Sequence, residues 1–356
     1  MTELIASRVM ELRRRPGLMI TLIVVNIGLP ALFLVIRLLL HVFAPRTSPP
    51  AGGYTIFVVL AAGFLPTFGF ITAVIVGSTA GSRDLTEGMF RQLVVTGRSR
   101  LALYLARIPA GLAILVPLIA IAYAVICTVC VVAAPTFVDD WNLNVPVGLS
   151  QTGFEHWARD HAKPVICSLY TGRLPPGVDC SEPPPWSKSA IAPAQPATPE
   201  LETVAAQTAG RHYHGYASAV LYPSVALMIK TGLWVELEAA VIFVVGLGLA
   251  SLMGQRTVPV ILLLVVQLIA TPILSAISVP QLQFLPRSVI GIAMARLEPS
   301  GLPVAAALPG LTGGVGGPGT TQFRLTDSVT EAILVIAAWL VVWTVLGAWR
   351  MMTRDV

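Results

Sequence analysis

"LARIPAGLAILVPLIAIAYAVICTVCVVAA", Leu105 to Ala134, holds one charged residue, Arg107, in 30 positions. About 20 helical residues, each rising ~1.5 Å, cross a hydrocarbon layer of ~30 Å. The stretch is therefore long enough to span a bilayer. Lipid offers no partner to free backbone groups, so a span of this kind must be a helix. The rest of the chain carries the same signature. Only 12% of its 356 residues are charged and 55% are hydrophobic, whereas soluble domains are about a quarter charged. Mean hydropathy is +0.78. The net charge of +5 does not point to nucleic acid, because the arginines crowd segments beside apolar runs, as they do when they set membrane orientation.

An all-α membrane protein with six spans is expected, near Leu18–Phe43, Tyr54–Ser78, Leu105–Ala134, Leu233–Met253, Val258–Val279 and Val329–Ala348. The first run is too long for the ~7–15 residues of a signal-peptide core. With the N-terminus inside, the inner segments hold Arg8, Arg13, Arg14, Arg15, Arg83, Arg91, Arg98, Arg100, Arg107, Arg256, Arg350 and Arg354 against few acids. The positive-inside rule then places both termini in the cytoplasm, and the expected location is a bacterial inner (plasma) membrane.

Four regions follow. Residues 1–17 read as an amphipathic helix on the inner surface, with Ile5, Val9 and Leu12 on its apolar stripe; a solvated helix is the alternative. Residues 18–134 hold spans one to three. Residues 135–232 form an extracytoplasmic loop rich in proline, and residues 233–356 hold spans four to six. Within the last region, 284–298 is an apolar piece bracketed by Pro286 and Pro299, too short to span and suited to a re-entrant or interfacial position.

Cys167 and Cys180 are the only cysteines outside the spans. Both fall in the outer loop, where disulfides persist, so a bridge is expected. Cys127 and Cys130 lie inside span three and read as packing residues. No metal-type spacing appears among the histidines. Arg37, Glu236, Glu238 and Glu331 are candidate outer-gate charges, with snorkelling to the outer interface as the bland alternative.

The polar bridge between spans two and three, "DLTEGMFRQLVVTGRSR" from Asp84 to Arg100, is better specified than a turn needs. Asp84 and Glu87 make a D-x-x-E capping box, and Gly97 is a natural stop. Leu85, Met89 and Leu93 share a face beside Phe90, and Glu87 precedes Arg91 by four residues in the favourable order. A short amphipathic helix is expected over 84–100. It serves either as a surface connector or as a docking element for a cytoplasmic partner.

The longer stretch "RDLTEGMFRQLVVTGRSRLALYLARIPAG" resembles the cytoplasmic loop of ABC-2-type permeases, the membrane subunits of type-2 ATP-binding-cassette exporters. In that pattern Gly88 takes the glycine place, Phe90 the leucine, Leu93 and Val94 the apolar pair and Thr96 the Ser/Thr. Ser99 with Arg100 take the "SR", and Arg107 the later basic place. Met89 and Gly97 depart from the usual threonine and proline. The resemblance implies an N-terminal elbow helix, six spans and a coupling helix that docks in a groove of an ATPase subunit. It makes Asp84, Glu87, Gly88, Phe90, Arg91, Leu93, Thr96, Ser99 and Arg100 the ATPase-coupling residues, and it implies a second permease subunit, identical or related. No G-x-x-x-x-G-K-[ST] occurs in the sequence. ATP and Mg would thus be bound by the partner ATPase and no cofactor by this chain, which would be a transport subunit and not an enzyme. Apolar spans suit a hydrophobic or amphipathic substrate. The alternative is a non-transporting membrane sensor or assembly protein that binds a partner through its external loop.

Overall fold

A computed structural model of the chain describes residues 2–43, 51–86, 99–134, 137–138, 145–146, 148–170, 174–176, 178, 180, 197–218, 222–270, 273, 287–299, 302 and 328–353. The chain is mostly helical. In order come α1 (Thr2–Arg13), α2 (Pro16–Phe43), α3 (Tyr54–Ser82, helical onward through Thr86) and α4 (Arg100–Val132). Then follow a two-residue antiparallel ladder of β1 (Phe137–Val138) and β2 (Val145–Pro146), α5 (Gln151–Asp160), α6 (Ala162–Leu169) and α7 (Pro199–Ser218). The last helices are α8 (Val225–Met253), α9 (Thr257–Ala270), α10 (Ile290–Arg296) and α11 (Val329–Thr353).

Five of these, α2, α3, α4, α8 and α11, are long and apolar enough to cross a membrane. The sixth expected span, Val258–Val279, appears among the described residues only as the shorter apolar helix α9. A multi-pass membrane protein is the consistent description.

Two helix ends differ from the sequence expectation. The fourth span begins at Val225, not Leu233, so residues 225–232 belong to a helix and not to the outer loop. Pro223 ends the preceding segment, and Ser224 caps the new helix by accepting from the Leu227 N–H at 3.2 Å. The second long helix likewise continues past Ser78 to Thr86. Asp84 therefore lies inside a helix and is not the N-cap of a new one.

The chain divides into two compact units, one of Met1–Ala31, Val58–Cys127 and Ser224–Val356, the other of Leu32–Phe57 and Thr128–Pro223. In the first unit α8 is the most buried of the long apolar helices, packed on α3 and α11. The contact with α3 is made by small residues. A Cβ on Gly77 would collide with the Phe243 carbonyl, and one on Gly81 with the Leu247 carbonyl. This is the small-x-x-x-small device by which helices in lipid approach closely enough for backbone-level van der Waals contact. Gly248 meets the Trp343 carbonyl of α11 in the same way.

Three π-turns interrupt the apolar helices among the described residues, at Val24–Gly28, Val58–Phe64 and Val266–Ala270. The first holds Asn26, fully buried, whose amide donates to the Leu22 carbonyl at 2.9 Å and to Thr72 Oγ1 at 2.6 Å. Buried amides need such partners, since an orphaned one costs free energy in an apolar interior.

The second unit has a core of its own, built by α5, α6 and α7 around Phe154, Trp157, Ile166, Ala205 and Tyr216. Phe154 stacks on Tyr216 with ring centroids 4.5 Å apart. The Tyr216 hydroxyl donates to the Pro146 carbonyl and accepts from the Leu149 N–H at 2.9 Å, which ties the β ladder to the helices. Cys167 and Cys180 are disulfide-bonded, with Cα atoms 5.5 Å apart. Closing so short a loop stabilises by roughly 3 kcal/mol on the chain-entropy account.

Candidate functional site

The bridge between α3 and α4 is the stretch whose sequence reads either as a surface connector or as a docking element. Its middle, residues 87–98, lies outside the described residues, and with it Glu87, Gly88, Phe90, Arg91, Leu93 and Thr96. Both of its ends are described, and each is tied to other helices of the first unit.

At the α3 end the anchor is the Gly81 carbonyl. It accepts a hydrogen bond from Arg107 Nη1 of α4 at 2.9 Å and another from Ser251 Oγ of α8 at 3.2 Å. A carbonyl has two lone pairs and can take both. Arg107 is 2% exposed, so it does not reach out to headgroups. A buried guanidinium must be met by acceptors, and a charge-assisted bond of this kind is about twice as strong as a neutral one. One backbone oxygen thus joins three helices where the bridge departs. Ser82 Oγ, one residue on, donates to the Ser78 carbonyl at 2.8 Å.

At the α4 end Ser99 is the N-cap, its Oγ accepting from the Ala102 N–H at 3.3 Å. Arg100 Nη1 donates to the Met352 carbonyl at 2.9 Å, in the last turn of α11. A cation there suits the negative end of the helix dipole. Ser99 and Arg100 were singled out from the sequence, whereas Gly81, Ser251 and Met352 were not. Their contacts depend on helices distant in sequence, and only the closely spaced glycines at 77 and 81 hinted at them.

The four candidate gate charges fall in different settings. Arg37 is in the second unit, on α2, with its guanidinium carbon 5.8 Å from the centre of the Phe33 ring. Glu236, Glu238 and Glu331 are in the first unit. Glu331 completes a capping box at the start of α11. It accepts from the Ser328 N–H at 3.1 Å, while Ser328 Oγ accepts from the Glu331 N–H at 3.2 Å. Glu236 and Glu238 do not open the fourth span. They lie near the middle of α8, and Glu238 is 6% exposed.

In the second unit a surface cleft of about 740 Å³ runs between α5 and α7, lined by Glu155, Arg159, Glu202, Gln207 and Arg211 among others. Two of the four loop histidines contact backbone oxygens through Nδ1, His161 at Trp157 (2.7 Å) and His212 at Thr208 (2.9 Å). Among the described residues no group of three or more His, Cys, Asp or Glu is placed to hold a metal ion. Cys127 and Cys130 are not disulfide-bonded, and Cys130 is buried. Compared with protein-family models, with curated proteins and with solved structures, the chain matches none.

Proposed function

We propose that the chain is the membrane-spanning permease subunit of an ATP-driven exporter of the ABC-2 type, coupled to a separate cytoplasmic ATPase through the bridge at 84–100. It sits in the cell membrane with both termini cytoplasmic and pairs with a second permease subunit to line a path for a hydrophobic or amphipathic substrate. One observation carries this reading: the helices on both sides of the bridge are bonded to their neighbours, α3 through the Gly81 carbonyl, which accepts from Arg107 and Ser251, and α4 through Arg100, which donates to the Met352 carbonyl of α11. A passive connector has no need of such anchoring, whereas an element that receives force from a motor does. The resemblance of Gly88, Phe90, Thr96, Ser99 and Arg100 to the coupling loop of that family supports the same assignment.

The test is co-purification of the full chain with a separately expressed ATP-binding-cassette ATPase from the same genome. Glu87→Lys with Arg91→Glu should lower ATPase retention at least tenfold while the chain remains monodisperse. Undiminished retention would remove the bridge as the docking element. A second function has its own support in the second unit, which has an aromatic core, a disulfide and a charged cleft. These suit a sensor or assembly protein that grips a partner outside the membrane. Full retention of that partner by a chain unable to hold any ATPase would favour it.

A further inference from the structure

Between α1, α2 and α4 of the first unit runs a groove of about 300 Å³. Val9 and Arg13, four residues apart and so on one face of α1, line one side of it. Leu22 and Ile23 of α2 and Ile114 and Leu118 of α4 line the others. Leu22 and Leu118 are buried, whereas Ile23 is 49% exposed, so the groove has a closed floor and an open side. Ile20 and Val24, next to Ile23 on α2, are exposed as well. Both α2 and α4 are long and apolar enough to cross a membrane, so the medium outside that open side is lipid.

Among the described residues Arg13 is the only charged one lining the groove. Arg14 and Arg15 follow it where α1 ends, and the acids of α1 leave it uncompensated. Glu11 is paired with Arg8 at 2.8 Å, and Glu3 is in the first turn, at the other end of the helix. Arg13 is exposed and makes no hydrogen bond or ion pair with the described residues. A cation at the edge of an apolar groove is matched by an amphiphile with an anionic head. A guanidinium takes a phosphate group through two parallel N–H···O bonds, and basic pockets between spanning helices bind anionic lipid headgroups. Size selects the same occupant. One turn of helix, ~10–12 Å across and ~5.4 Å long, fills about 400 Å³ or more and is too bulky for the groove. An acyl chain is one methylene wide and can enter lengthwise.

We propose that this groove is a binding site for one anionic phospholipid, with its phosphate on Arg13 and one acyl chain between Ile23 and Ile114, over Leu22 and Leu118. A lipid held in this way links α1 to α2 and α4 across Pro16, which interrupts the helix between the first two. The site requires only that the chain lies in a bilayer. It is independent of the exporter assignment, since every residue and every measurement involves this chain alone.

Native mass spectrometry of the full chain, purified in mild detergent and stripped of lipid, tests the site. The two probes are dioleoyl phosphatidylglycerol, which is anionic, and dioleoyl phosphatidylethanolamine, which has the same chains and no net charge. One phosphatidylglycerol should bind per chain, about fivefold more tightly than phosphatidylethanolamine, the factor that one basic residue contributes near an anionic headgroup. Arg13→Gln should abolish this preference. Arg14→Gln removes the same charge from a residue that does not line the groove, and it should leave the preference intact. Ile23→Trp, which fills the open side and alters no charge, should weaken both lipids. Arg13 and Ile23 are exposed, so these variants should fold, and the comparison of the two lipids on the unaltered chain needs no variant. Equal affinity for the two lipids on that chain, or equal losses in the Arg13 and Arg14 variants, would overturn the proposal. So would a lipid-free dimer that Arg13→Gln splits, because it would give the groove to a second copy of the chain.

Discussion

The two units fill their interiors by opposite means. In the first, backbone meets backbone: Gly77 and Gly81 let α3 lie on the carbonyls of α8, and Gly248 does the same for α11. Its outward surface is hydrocarbon, with Ile20, Leu233, Leu334 and Val345 all exposed. In the second, large rings fill the space, with Phe154 stacked between Trp157 and Tyr216, and the helices turn Arg159, Asp160 and Gln207 outward. The difference is one of solvent. Water drives rings together because burial removes apolar area from it. Lipid tails are as apolar as the side chains, so the first unit gains from close contact and polar bonding.

Substitutions can break this contrast or sharpen it. Gly81→Leu should have the largest effect. It forces α3 off α8 and disturbs the carbonyl that holds Arg107 and Ser251, a loss above about 4 kcal/mol, in the range kept for severe core disruption. Extraction should yield little monodisperse protein. Gly17→Leu, where a Cβ meets nothing within 4 Å, should extract normally. Phe154→Ala should cost about 3–5 kcal/mol, read as loss of the Trp157 fluorescence transition in denaturant, while the helices of the first unit stay protease-resistant. Smallest is Ser328→Ala, at about 1 kcal/mol for a lost N-cap. It should appear as faster amide exchange confined to the first turn of α11, showing that even a lipid-facing helix depends on ordinary capping where it meets water.

Much of this was legible in the residues. Long uncharged runs marked the five long helices, because hydropathy reports the solvent directly. The disulfide was readable because only two cysteines lay outside those runs. What sequence could not supply was position relative to other helices. Arg107 counted in the sequence only as one more inner arginine, and its acceptor, the Gly81 carbonyl 26 residues away, is a product of the fold. Glu331 looked like a gate charge, although S-x-x-E at Ser328 to Glu331 was a readable capping box. The bridge at 84–100 is the opposite case, rich in sequence signal, and its middle lies outside the described residues.

The π-turn at Val24–Gly28 has a consequence for mapping the first long helix. A turn of this kind inserts one extra residue into the α-helical count, and each residue rotates the direction of the side chains by about 100°. Residues 16–23 and 29–43 are therefore out of phase on what is nominally one cylinder. A cysteine or tryptophan scan along it will show two periodic patterns with a slip between them, and averaging across Asn26 would erase both.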